Sequence, residues 1–133
     1  MAKIDKISRY VKKAKTAKLR AIALFDGDIS IRLAAIEGLG KLAESEAVEN
    51  ALISMLGDND PDIRAAASSA LGNARSSYAC VQLEHYYENE KDEKVLDAAR
   101  VSLIKMKESA MGNNCMDVSA AATQNPLQSK NPS

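Results

Sequence analysis

From Asp28 onward, apolar side chains fall at Ile31, Ala35, Ile36, Leu39, Leu42 and Ala43, the three-and-four spacing of one helical face. The polar stretch Glu44-Ser45-Glu46 interrupts this run, and Val48, Ala51, Leu52, Met55 and Leu56 make a second face. Gly57-Asp58-Asn59-Asp60-Pro61 then closes the unit. Glycine suits a helix C-terminus, Asp60 can cap the following helix, and Pro61 fits its first turn. The same logic along the chain predicts seven helices, over 3–14, 15–26, 29–43, 47–57, 61–74, 77–89 and 93–109.

The pattern repeats at a shift of 32. Asp28, Ile31, Arg32, Ala34, Ala35, Leu39, Gly40, Ser45 and Ala47 return as Asp60, Ile63, Arg64, Ala66, Ala67, Leu71, Gly72, Ser77 and Ala79. A further step lands on Asp92, Val95, Ala98, Ala99 and Leu103, while Ile36 and Leu39 project back onto Ile4 and Ile7. One helix pair cannot hide its own apolar stripe, so neighbours must stack around a continuous core. The expected fold is therefore all-α: a solenoid of about 3.5 helix pairs over residues 1–111. Gly40 and Gly72, one period apart, mark either a close approach of backbones or a loose last turn. Residues 112–133 are rich in Asn, Ser and Gln, carry Pro126 and Pro132, and read as a disordered tail.

Composition agrees with helix: aromatics make up 4% of the 133 residues, Trp is absent, and Ala and Leu are abundant. The 18 basic and 18 acidic residues cancel, so no global field recruits nucleic acid or an anionic membrane. The charge is uneven, however: the first 20 residues hold eight cations against Asp5 alone, a local +7. No apolar run is long enough to span a bilayer, and none resembles a signal peptide. Cys80 and Cys115, read as two separate thiols, suit a reducing, cytoplasmic setting.

Asp60-Pro61-Asp62-Ile63-Arg64-Ala65-Ala66-Ala67, followed by Ala70-Leu71-Gly72, resembles a HEAT-like repeat, in particular the short kind found in phycobilisome bilin lyases. Asp28 to Arg32 with Ala34, Ala35, Leu39 and Gly40 is a second copy; at the third, Leu96 replaces the arginine of positions 32 and 64. The resemblance covers about residues 3 to 109. It implies that Asp28 and Asp60 pair with Arg32 and Arg64 in a ladder between units, and that second helices line a concave surface. The family spans scaffolds, lyases, hydroxylases and DNA-repair proteins, so it fixes architecture rather than function.

Candidate chemistry is sparse. His85, the only histidine, shares the sixth predicted helix with Tyr78, Cys80, Tyr86 and Tyr87. Catalytic zinc takes three protein ligands, which this stretch does not supply, and the repeated His-Glu pairs of the related hydroxylases are absent. Gly38 and Gly40 lie inside a helix and make no phosphate loop, and one histidine near a chain end assembles no Ser-His-Asp set. His85 is read as a solvated surface residue beside inward-facing Ala79, Leu83 and Tyr87. No cofactor, metal or catalytic residue is expected, and a bilin lyase would need a deeper pocket than so few units enclose.

Two surfaces remain. By register, second-helix residues pointing away from the core are Lys18, Ile22, Glu49, Asn50, Ile53, Val81, Gln82 and His85, a partly apolar strip that suits a protein, peptide or helix partner. On the first helix Ile4, Ile7, Val11 and Ala14 are expected inward. Arg9, Lys12 and Lys13, continued by Lys15, then make a basic patch for an acidic partner or nucleic acid, or a solvated cap. The sequence favours a non-catalytic interaction module acting through the second-helix strip, with electrostatic binding as the alternative and an enzyme third.

Overall fold

The computed structural model describes residues 3–43, 45–74 and 76–110. They form α1 (Lys3–Lys12), α2 (Thr16–Phe25), α3 (Ile29–Gly40), α4 (Glu46–Met55), α5 (Pro61–Leu71), α6 (Ser77–Asn89) and α7 (Glu93–Ala110), with no strand among the described residues. The expected tail at 112–133 lies outside them. Helix starts follow from local chemistry. The Asp28 carboxylate accepts from the Ser30 amide and Asp60 from Asp62, satisfying donors that the first turn leaves unpaired. Ser76 does the same for Ala79 at the start of α6.

The odd-numbered helices form one layer and the even-numbered helices the other. Leu39, Leu71 and Leu103, at equivalent positions in α3, α5 and α7, are each 2% exposed or less. Neighbouring first helices run parallel and meet one period on. Asn73 donates to the Gly40 carbonyl at 2.8 Å, Lys105 to Asn73 Oδ1 at 2.7 Å, and Ser102 Oγ to the Ser68 carbonyl at 2.7 Å. First helices pack on one another more extensively than second helices do, so α2, α4 and α6 stand further apart.

That tight layer explains the recurring glycines as close approach. A Cβ on Gly40 would lie 3.1 Å from the Ala70 Cβ and 3.2 Å from its Cα. One on Gly72 would lie 2.7 Å from Ser102 Oγ, which is already committed to the Ser68 carbonyl. Neither glycine needs a left-handed conformation; Gly72, for example, has φ −59. Gly72→Ala would gain roughly 0.5–1 kcal/mol of helix propensity but would displace a buried, hydrogen-bonded serine. We expect a net loss of about 1–2 kcal/mol by urea denaturation; a more stable variant would show that the approach is not limiting.

The ladder between units exists, but its acids are not Asp28 and Asp60, whose carboxylates serve as helix caps. Arg32 reaches back to the Ala23 carbonyl at 2.6 Å and across to Asp58 at 2.9 Å. Arg64 forks onto both oxygens of Glu90 at 3.0 Å and donates to the Asp58 and Asn59 carbonyls. Lys3 pairs with Asp26 at 2.7 Å. Asp26, Asp58 and Glu90 are themselves one period apart, and each also accepts the amide two residues on, from Asp28, Asp60 and Asp92. One carboxylate thus ties a turn together and holds a cation from another element.

Three further expectations change. Ile4 is 48% exposed rather than inward. Ala14 lies outside α1 with φ 51; Ala14 donates to the Val11 carbonyl and Lys15 to that of Tyr10, a left-handed cap that turns the chain into α2. Cys80 is fully buried and disulfide-bonded rather than a free thiol, which removes the free-thiol argument for a reducing compartment. Cys115 lies outside the described residues. Among the described residues no helix is long and apolar enough to cross a membrane.

Candidate functional site

The second-helix strip takes its shape from α2, α4 and α6, whose outward positions recur at the same shift of 32. On α2 that face is Lys18 among small exposed residues, Ala17 and Ala21. On α4 it is exposed Glu46 and Asn50 with half-buried Ile53. On α6 it is Tyr78, 55% exposed, and Val81, 47% exposed, followed by half-buried Gln82 and exposed His85. Spacings of 3, 4 and 7 put these four α6 residues on one face. Tyr78 is the largest apolar residue on the α6 part of the strip, and Phe25, 80% exposed, lies seven residues beyond Lys18 on α2. Tyr78 shares the helical spacing of Val81 and His85, a signal present in the sequence, but it is absent from the register-based set.

Not every residue of that set reaches the surface. Ile22 and Ile53 are half buried and pack against the core. Glu49 is buried at 7% exposure. Its burial raises the carboxyl pKa, the Ser76 hydroxyl partly offsets this, and nearby Glu46 adds to it. Helical register places Glu49 outward; in the fold it is buried and hydrogen-bonded to the side chain of Ser76, the serine that caps α6. Lys18, Asn50, Val81 and His85 are the exposed members. The His85 ring meets Tyr86 edge-on at 5.6 Å, and the His85 carbonyl accepts from Asn89.

Arg9, Lys12, Lys13 and Lys15 are all exposed at the end of α1 and the turn that follows. Parallel stacking brings Lys41, just after α3, and Lys105, in the last part of α7, to the same edge of the molecule. Cations at helix C-termini are favoured by the backbone dipoles, so this edge has a structural reason to be basic.

A crevice between α5, α6 and α7, lined by Ser68, Leu83, Tyr86, Tyr87, Glu90 and Val95, has room for about 10 Å³, at most one water. Small-molecule pockets run to roughly 300–1,000 Å³. Among the described residues no group of three His, Cys, Asp or Glu is placed to hold a metal. A family model described as HEAT repeats matches residues 16–104. No curated protein and no solved structure matches the chain.

Proposed function

The chain belongs to the HEAT-repeat family, and on that premise we propose that it is a non-catalytic interaction module that takes a peptide or helix partner across α2, α4 and α6. The observation that carries this is Tyr78 beside Val81 on the outer face of α6, 55% and 47% exposed. Both side chains are held on a rigid helix and lose little entropy on binding; tyrosine is among the residues that dominate interface energies, and Val81 adds apolar area beside it. Lys18, Asn50 and His85 supply a polar border, the arrangement of an apolar centre with a wet rim. HEAT repeats generally mediate protein–protein interaction.

A second reading rests on the exposed cations Arg9, Lys12, Lys13 and Lys15, with Lys41 and Lys105 on the same edge. They would bind phosphates or an acidic protein electrostatically. One set of measurements separates the two. With a partner captured by the full chain and then purified, Tyr78→Ala and Val81→Asp should each weaken binding by tenfold or more, with little dependence on salt. Ile53→Asp is a poor probe, because Ile53 packs on the core. Neutralising Lys12, Lys13 and Lys15 together should leave that affinity within about twofold. Steep salt dependence, lost in the triple variant and matched by binding to DNA or RNA oligonucleotides, would instead establish the basic edge as the binding surface.

A further inference from the structure

The hydrogen bonds between first helices define which residues of each helix receive the next one. On α5 and the turn that ends it these are Asp62, which bonds Lys94; the Ser68 and Ser69 carbonyls and Gly72, which meet Ser102; and Asn73, which bonds Lys105. Advanced by one period, the receiving positions on α7 are Lys94, Arg100, Val101, Ile104 and Lys105. Val101 is 65% exposed and Ile104 is 42% exposed. The last described helix therefore presents an uncovered aliphatic pair where α3 and α5 each carry a neighbour.

Two features decide what fits there. First, the position that is glycine in α3 and α5, Gly40 and Gly72, is Ile104 in α7, so the close parallel approach of the array cannot continue. In that register a second copy's α1 would also set Arg9 against Lys105, two like charges. Second, Asp97, Val101 and Lys105 lie four residues apart on one ridge, with an acid at one end and a base at the other. Lys105 is bonded to the neutral side chain of Asn73, so its charge is uncompensated there. Two such ridges crossed antiparallel about a two-fold axis at Val101 set Asp97 of each copy against Lys105 of the other. Crossed parallel, they would set like against like.

We propose that the outer face of α7 is a self-association surface that pairs two copies of this chain through a two-fold axis near Val101. Its symmetry closes the contact, whereas head-to-tail stacking would run on into a filament. Ile104 packs beside Ala98 of the second copy, and Asp97 keeps its bond to Arg100 on one oxygen while the other faces Lys105 across the axis. A specific interface buries roughly 800 Å² on each side, and a single helix face offers less, so the dimer is weak and concentration-dependent.

Sedimentation equilibrium of the full chain, across a wide concentration range at low salt, tests this. The wild type should show a monomer–dimer equilibrium. Val101→Asp should weaken it at least tenfold, because it places two carboxylates together at the axis. Asp97→Lys alone should weaken it likewise, and Asp97→Lys with Lys105→Asp should restore it, since both cross-axis pairs are then reversed but matched. All three variants change exposed positions, and unchanged thermal melts would show the fold intact. A monomer at every concentration, a dimer indifferent to Val101→Asp, or a charge-reversed double variant no better than Asp97→Lys would overturn the proposal.

Discussion

Leu71→Ala is expected to remove about 2–5 kcal/mol of unfolding free energy, read from the urea midpoint at unchanged slope. Leu71 is fully buried in α5, the first helix that packs on both α3 and α7. Deleting its branched end leaves a cavity between layers of helices whose backbones are already in close contact through Gly40 and Gly72, so collapse around the gap is limited. Domains of this size hold only about 5–15 kcal/mol in total. The stability of a stacked array is also carried by nearest-neighbour interfaces, and this substitution damages two of them. Phe25→Ala, at a position 80% exposed, is the control and should stay within about 0.5 kcal/mol. A Leu71→Ala loss no larger than that of the control would mean the period-spaced leucines do not share one interior.

Leu71 also shows what could be read from the sequence. A buried leucine in a stack must recur wherever the unit recurs, so Leu39, Leu71 and Leu103 announce themselves by spacing alone. The caps at Asp28 and Asp60 are legible for the same reason: their partner is a backbone amide two residues away. What was misplaced depends on contacts between units. Asp58 and Glu90 hold the ladder arginines, yet the period links Asp58 to a glutamate, and a search for identical residues passes over that match although both side chains offer a carboxylate. Glu49 looks like surface by helical register but is buried and hydrogen-bonded to a serine from the next pair. Ile4 looks like core by register but sits at the first turn of α1, where no preceding helix exists among the described residues to cover it. Tyr78 is legible on the same face as Val81 and His85 by its helical spacing.

Arg64→Met should cost about 2 kcal/mol near neutral pH, and the cost should shrink in acid. Arg64 satisfies both oxygens of Glu90 and two loop carbonyls, while the Glu90 and Arg64 side chains are 9% and 21% exposed. The pair therefore lies between exposed bridges, worth about 0–1 kcal/mol, and buried ones, where losing one partner costs about 3–5 kcal/mol. Burial pushes the Glu90 carboxyl up, but the Arg64 guanidinium and the Asp92 and Lys91 amides outweigh it and leave the pKa below the ordinary value. For a carboxyl depressed by folding, the unfolded chain binds the proton more readily. The contribution is then complete above the unfolded pKa, about 4.3, and is lost as pH falls through the folded value. In Arg64→Met the burial remains and only the amides oppose it, so the carboxyl rises and its share of the acid sensitivity fades. The gap between the two stability curves should narrow as pH falls through the folded Glu90 value, which lies below the unfolded one. Glu90→Gln in both backgrounds closes a double-mutant cycle whose coupling near neutral pH should be about 1–2 kcal/mol. A cost that stays constant from neutral pH into acid would assign the Arg64 contribution to its carbonyl bonds and side-chain packing instead of the ion pair.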